Sequence, residues 1–333
     1  MNLTTNYLGL TLAHPLMPGA SPMVDDLDAV RRLEDAGASA IVMHSLFAEQ
    51  VEAEQLAAQR HIHGLGGFNA EAPGWFPDAG VFALGVDAYL EQIRKIREAV
   101  AVPVIASLNG ASPGPWLDWA RRFEEAGAHA IELNLYALAT DPAVEAGHVE
   151  AMQCTVVEAV TSSVTVPVAV KLSPYCSSLP AFLRAIEGAG AKGAVLFNRF
   201  YQPDIDPETL SLSRALHLSD ASELPLRLRW LAVASPRTSL SLACSGGVHA
   251  PIDVVKALMA GAHAVQSVSA LLERGPSHLR VLLEGLRAWM EAHEYARIDD
   301  LRGSMNHARC PDPSAYERAN YVKLLQGWHP GEG

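Results

Sequence analysis

Two kinds of apolar run alternate along the chain. One kind is amphipathic with a period near 3.6, over 27–36, 86–100, 116–126, 180–189, 251–260 and 278–293, and that spacing predicts helices. The other is short and continuous, as over 102–107, 166–171 and 240–245. Continuous apolar runs bounded by turn residues predict strands buried on both faces. Pro103 and Pro167 stand at the starts of two of these runs, where a strand needs no ladder donor from them.

A motif recurs where helix gives way to strand. It reads Asp35-Ala36-Gly37-Ala38-Ser39-Ala40-Ile41, then Glu125-Ala126-Gly127-Ala128-His129-Ala130-Ile131, then Gly188-Ala189-Gly190-Ala191-Lys192-Gly193-Ala194-Val195, then Met259-Ala260-Gly261-Ala262-His263-Ala264-Val265. Gly37, Gly127, Gly190 and Gly261 are the expected left-handed helix ends, each followed by a buried strand. Eight strands result, at 14–20, 39–45, 102–107, 129–135, 166–172, 192–198, 240–245 and 263–269. Strict alternation of helix with parallel strand predicts an α/β chain, and eight units favour a (β/α)8 TIM barrel. Three long connections, 46–86, 136–150 and 199–238, fall at the C-terminal ends of strands, the face that hosts active sites in such barrels. Residues 1–333 are expected to form one domain, with 298–333 packed on the barrel as a tail.

Composition narrows the partners. Lys and Arg number 25 against 37 Asp and Glu, for a formal net charge of −12. No basic stripe offers a nucleic-acid surface, although backbone N–H groups at a helix start can hold one phosphate without net positive charge. Cys154, Cys176, Cys244 and Cys310 form no C-x-x-C pair, so no zinc set and no metal site are expected. The absence of a leader-like N-terminus and of a long apolar run argues against a membrane association and for the cytoplasm.

The strand ends select candidate site residues. The first run ends in Gly19-Ala20-Ser21, the second in His44-Ser45, and the third runs into Asn109. The fourth carries Asn134, the fifth Lys171, the sixth Asn198, and the last two carry Ser245-Gly246-Gly247 and Ser267-Val268-Ser269. Polar groups on apolar strands need partners. Lys171, between Val170 and Leu172, either rises to solvent or faces an anionic ligand. The Gly246-Gly247 turn ahead of a helix has the form of a phosphate cradle.

Together, Pro18-Gly19-Ala20-Ser21, Glu132-Leu133-Asn134, Val168 to Pro174, Leu196-Phe197-Asn198-Arg199, Ser245-Gly246-Gly247-Val248 and Val265 to Leu271 resemble the dihydroorotate dehydrogenase family of FMN flavoproteins, above all its dihydroorotate dehydrogenase-like branch. The resemblance implies that Ala20 and Ser21 contact the flavin, that Ser45, Asn134 and Asn198 line it and the substrate, and that Lys171 faces its pyrimidine edge. Asn109 joins this cofactor set from the third strand end. Gly246, Gly247, Val268 and Ser269 would hold the phosphate. A buried cation near that edge stabilises the reduced flavin.

The chain departs from the family pattern where substrate chemistry is done. The family's N-L-S-C-P-N stretch reads Asn134-Leu135-Tyr136-Ala137-Leu138-Ala139 here, so Ala137 replaces the Cys or Ser base. His44 stands where the family usually has Lys, and Val268 where it usually has Gly. Losing a general base is typically worth ~10²–10⁴ in rate, which argues against dihydroorotate. Tyr136, His44, Cys176 and Tyr201 are the available proton donors; His44 and Tyr136 are favoured, and the catalytic set is Lys171, His44 and Tyr136.

His61 and His63 lack a third metal ligand. Gly64-Leu65-Gly66-Gly67 does not open a helix after a strand, so it is no dinucleotide fingerprint. Trp75, Phe76 and Phe82 are expected to pack a lid. The leading expectation is an FMN-dependent oxidoreductase acting on a C–C bond next to a carbonyl of a small molecule. Two alternatives are an FMN-binding electron-transfer or regulatory subunit with a redox-protein partner, and a Schiff-base lyase using Lys171. A homodimer is expected by analogy with relatives.

Overall fold

A computed structural model describes residues 1–47, 85–110, 116–135, 138–199, 202–213, 217–317 and Gly327. Its strands are β1 (Thr5–Tyr7), β2 (Leu10–Leu12), β3 (Leu16–Pro18), β4 (Ile41–Phe47), β5 (Val104–Asn109), β6 (Ala130–Asn134), β7 (Val168–Leu172), β8 (Gly193–Leu196), β9 (Asp204–Asp206), β10 (Ser211–Ser213), β11 (Ser241–Ser245) and β12 (Ala264–Ser267). Eight of them lie parallel in the order β3-β12-β11-β8-β7-β6-β5-β4. The sheet closes between β3 and β4, where the Ser39 N–H and hydroxyl both donate to the Leu16 carbonyl, at 3.1 and 2.6 Å. This is the expected (β/α)8 TIM barrel.

The repeated junctions behave alike. Gly37, Gly127, Gly190 and Gly261 all have positive φ, between 95° and 120°. In the two copies that read Gly-Ala-His-Ala, histidine adds a second tie. The His129 N–H donates to the Val104 carbonyl at 2.8 Å while its Nδ1 accepts the Val104 N–H at 3.0 Å. His263 does the same with Leu242, at 2.7 and 3.0 Å. Each histidine thus satisfies a strand-initial N–H of its neighbour that would otherwise be buried unpaired.

The hydrophobic pattern left β1 and β2 unread. They form an antiparallel hairpin that plugs the N-terminal end of the barrel. Leu8 at the turn has φ 57°, a costly conformation for a branched side chain. Its side chain is buried with Tyr7, Leu12, Ala169 and Ala243 in the barrel interior. Its N–H donates to Ser241 Oγ at 3.1 Å, and Thr5 Oγ1 donates to the His263 carbonyl at 2.9 Å. Burial of this leucine offsets the strain of its backbone. Gly193 leaves the room: a Cβ there would lie 2.4 Å from Leu8 Cδ2.

Two expected long connections are shorter than the sequence suggested. Residues 199–238 contain the β9–β10 hairpin and the helix Leu224–Ala234, and the helix Ala146–Ser163 begins inside 136–150. Their apolar faces are masked by weak amphipathicity. In the described part of the tail, Ile298 and Leu301 are buried, and N–H groups of Gly303, Met305 and His307 donate to carbonyls of Leu258, Met259 and Ala232. Among the described residues no helix is long and apolar enough to cross a membrane.

Two predictions follow from the closed end. Burial, first among the causes, lowers the pKa of His14 and of His263 from 6.5 to about 4. The fold holds both rings neutral, so the stability they lend is complete above pH 6.5 and drains away as pH falls toward 4. Between pH 7 and pH 5 the loss is about 2 kcal/mol per ring. Urea unfolding at pH 7 and at pH 5 should show it, and a His263→Asn variant should lose part of that pH dependence. Separately, Gly193→Ala should cost about 1–3 kcal/mol by overpacking Leu8; an unchanged urea midpoint would refute the plug.

Candidate active site

Strand alternation sorts the barrel interior into layers. The lowest is small and apolar, with Ala40, Ala130, Ala169, Ala243 and Ala264 around the hairpin. Above it polar side chains appear. Register sets Asn109 beside Asn134 and Asn134 beside Lys171 across β5, β6 and β7. Three sequence-selected residues therefore form one row at one height.

Lys171 is buried at this row. Its Nζ donates to Glu132 Oε1 at 3.1 Å, and the two side chains are 8% and 1% exposed. Glu132 Oε2 in turn accepts from Gln266 Nε2 at 2.6 Å. Gln266 lies on β12, four strands round the eight-stranded order from β6, so the contact crosses the barrel. The counter-charge for Lys171 is the chain's own.

At β4 the ladder is irregular. Val42 pairs with Ile105 and Ser45 with Ser107, so three steps on one strand match two on the other. The bulge brings Ser45 into the inward phase beside His44, and Ser45 Oγ lies 2.7 Å from Ser107 Oγ. His44 is half-buried. Its ring packs edge-on against Tyr89 at 5.2 Å, and its Nδ1 lies 2.5 Å from Asp25 Oδ1, an ion-pair contact off the line of a ring N–H. Gln92 Nε2 donates to the carbonyls of Val24 and Asp25 at 2.9 and 3.2 Å, which fixes the turn carrying Asp25. Tyr89 is locked as well: its hydroxyl accepts the Ser107 N–H at 3.0 Å and lies 2.8 Å from the His44 carbonyl. Burial pushes that phenol far above the ordinary tyrosine range.

Asn198 Nδ2 donates to Asn134 Oδ1 at 3.0 Å, which joins two of the candidate ligand residues. Ser21 is buried and its hydroxyl has no partner among the described residues; Ala20 beside it is half-buried. Gly246 and Gly247 have φ 97° and 77°. The glycine requirement there comes from beneath, because a Cβ would lie 2.8 Å from Arg227 Nη2 at Gly246 and 2.5 Å from Leu224 N at Gly247. Arg227 is buried. It donates to the Ser245 carbonyl at 3.0 Å and pairs with Glu223 at 3.0 Å. Ser269 Oγ accepts the Ser219 N–H at 3.1 Å and contacts Ser219 Oγ at 2.7 Å, and half-buried Val268 opens its short helix. Cys176 borders a cavity of about 480 Å³ beside this mouth, with Leu135, Glu150 and Leu172. Burial, then Glu150, pushes its thiol up to about 11, so it is protonated at neutral pH.

Glu132, Gln266, Asp25, Ser107 and Arg227 were not selected from sequence. Glu132 and Gln266 carried the same signal as Lys171, a polar residue inside an apolar strand. Asp25 and Arg227 carried none, since turn or loop residues are commonly charged. Tyr136, Ala137, Tyr201, His61, His63, Gly64 to Gly67, Trp75, Phe76 and Phe82 lie outside the described residues. Among the described residues no three metal-ligating side chains come together.

The site residues fit a flavin mononucleotide. An unpartnered buried Ser21 hydroxyl, an amide pair, a lysine and a serine pair ring one mouth, with a left-handed Gly-Gly turn over a buried arginine at its edge. The family model for dihydroorotate dehydrogenase matches residues 2–290. A putative dihydroorotate dehydrogenase A (fumarate) of Aeropyrum pernix is 28% identical over 310 residues, which cover 92% of this chain and 98% of that protein. The catalytic subunit of a dihydroorotate dehydrogenase B (NAD(+)) of Methanothermobacter thermautotrophicus is 29% identical over 308 residues, 90% of this chain and 97% of that one. A further such subunit, from Anoxybacillus flavithermus, is 31% identical over 202 residues, 59% and 65% of the two chains. The chain belongs to the dihydroorotate dehydrogenase family of FMN-dependent oxidoreductases.

Proposed function

We propose that this chain oxidises or reduces a small molecule at a C–C bond next to a carbonyl, and that His44, backed by Asp25, handles the proton. The observation that carries this reading is the His44–Asp25 contact at 2.5 Å, on the strand that pairs with β5, the strand of Asn109. When bound, FMN supplies hydride chemistry at its ring.

The protein's own groups divide the remaining tasks. Asn198 donates to Asn134, which among the described residues leaves one amide N–H₂ and one amide carbonyl to orient a ligand. Gly246 and Gly247 with Val268 and Ser269 hold the phosphate, and buried Arg227, paired with Glu223 and donating to the Ser245 carbonyl, braces the turn from beneath Gly246. Ala20, Ser21, Ser45 and Asn109 complete the flavin contacts. Asp25 lies against the His44 ring on its Nδ1 side, so the Nε2 side is left to exchange a proton with the substrate. Contacts of this kind tighten when substrate is bound. Tyr136 remains a second proton donor in this reading.

With Ala137 in the base position, dihydroorotate is the weaker substrate. The Schiff-base lyase reading falls away, because Lys171 Nζ is tied to a carboxylate and the family is one of oxidoreductases. Residues 1–333 act as one domain, and a redox protein or a second copy of the chain is the partner to seek.

The purified protein should be yellow and should take up FMN stoichiometrically; colourless protein that binds none on titration would sink the reading. With a reducing substrate in hand, His44→Ala should slow flavin reduction in single-turnover experiments by about 10² and Asp25→Asn by about 10, both without loss of flavin. Equal rates in wild type and His44→Ala would remove His44 from the chemistry. Reduction by a redox protein and by no small donor would favour the electron-transfer subunit.

A further inference from the structure

The Lys171–Glu132–Gln266 chain runs from the row of Asn109, Asn134 and Lys171 down into the barrel interior. In register Glu132 stands opposite Ala169, one inward position below Lys171. The ammonium is therefore drawn downward to its carboxylate and not left to rise into the opening. Glu132 cannot swing away to relieve this, because Gln266 grips its other oxygen at 2.6 Å from the far wall. Among the described residues Lys171 and Gln266 bind Glu132, and the hydroxyls of Tyr7, from the N-terminal hairpin, and of Tyr89 feel its charge. The Tyr7 hydroxyl is fully buried with no partner among the described residues, and burial and then Glu132 push its pKa well above the tyrosine range. The tyrosine thus stays neutral, and the local charge is one cation and one anion.

We propose that Glu132, pinned across the barrel by Gln266, is a positioning residue that sets both the height of the Lys171 ammonium and the net charge met by a flavin at the mouth. The proposal rests on the FMN reading for its second half only. A lysine alone would present a full buried cation, which favours the electron-rich reduced ring. A paired lysine presents a dipole, so the preference for the reduced state is held down. The family resemblance accounts for the lysine, and the carboxylate beneath it decides how much of its charge is felt.

The test uses the full chain with Glu132→Gln, which keeps shape and removes charge, and Gln266→Met, which removes the pin and keeps Glu132. Without flavin, reductive methylation of Lys171 followed by mass spectrometry reports access to Nζ. With flavin, the ratio of affinities for reduced and oxidised FMN reports the charge. We expect Lys171 to be labelled about tenfold faster in Glu132→Gln and about threefold faster in Gln266→Met. The affinity ratio should shift toward reduced FMN by about tenfold in Glu132→Gln, equivalent to ~30 mV for a two-electron couple. The shift should vanish when Glu132→Gln is placed in a Lys171→Met background.

A merely structural carboxylate would weaken both flavin states equally and leave the ratio alone. Unchanged labelling, or faster labelling with an unchanged ratio, overturns the proposal. If Glu132→Gln does not fold, Gln266→Met decides by the same two readouts. Wild type that binds no FMN would fail the flavin reading, and the labelling would still decide whether Glu132 positions Lys171.

Discussion

A lysine and a glutamate buried side by side in a barrel interior constrain everything around them. Each alone would be expensive to keep charged away from water. Together, with Gln266 spanning the barrel to the second carboxylate oxygen, they are matched. That match needs a dry, rigid surround, because a loosely held pair forfeits its Coulomb gain while keeping its desolvation cost. The alanine layer and the hairpin plug beneath supply the surround. The row of Asn109, Asn134 and Lys171 above then stands at a height fixed by strand register and not by loop conformation.

The two ends of the barrel accordingly do different work with the same residue types. At the closed end, His129 and His263 are acceptors for strand N–H groups, and burial keeps them neutral. At the open end, His44 is half-buried and faces a carboxylate. An imidazole in the first setting contributes packing and hydrogen bonds, whereas in the second it can exchange a proton. Glycines divide in the same way. Gly193 makes room for Leu8 below, and Gly246 makes room for Arg227 above.

The barrel was legible because its signal is periodic and repeated: apolar runs of strand length, and four glycine junctions. The Leu224–Ala234 helix was not, because its apolar residues do not gather on one face and the segment read as loop. The β1–β2 hairpin was missed because three-residue strands are too short to show alternation. In the site, strand-end position singled out Lys171, Asn134 and Asn198, and the first two proved to be neighbours in register. Their partners were less legible. Glu132 sits two residues before Asn134 in a strand already recognised, and the rule applied to Lys171 applies equally to it. Asp25 reaches His44 only through the folding of a turn clamped by Gln92, 67 residues away, and no local pattern encodes that approach.

The departures from the family pattern concentrate at the mouth, and this bears on how chemistry could change while the cofactor is kept. A base carried on the connection after the fourth strand depends on that connection's conformation. A histidine on β4 depends on a strand instead, held by a bulge, by the Tyr89 ring and hydroxyl, and by a carboxylate on a clamped turn. Groups built on strands are placed more precisely than groups on loops. On the proposed reading the proton-handling group is His44, on β4, and not a residue at position 137. On that same reading, a substrate suited to this site would offer its acidic C–H toward β4 and its carbonyl toward the asparagine pair. On the proposed reading, that difference in geometry, and not a loss of redox capacity, separates this chain from its pyrimidine-oxidising relatives.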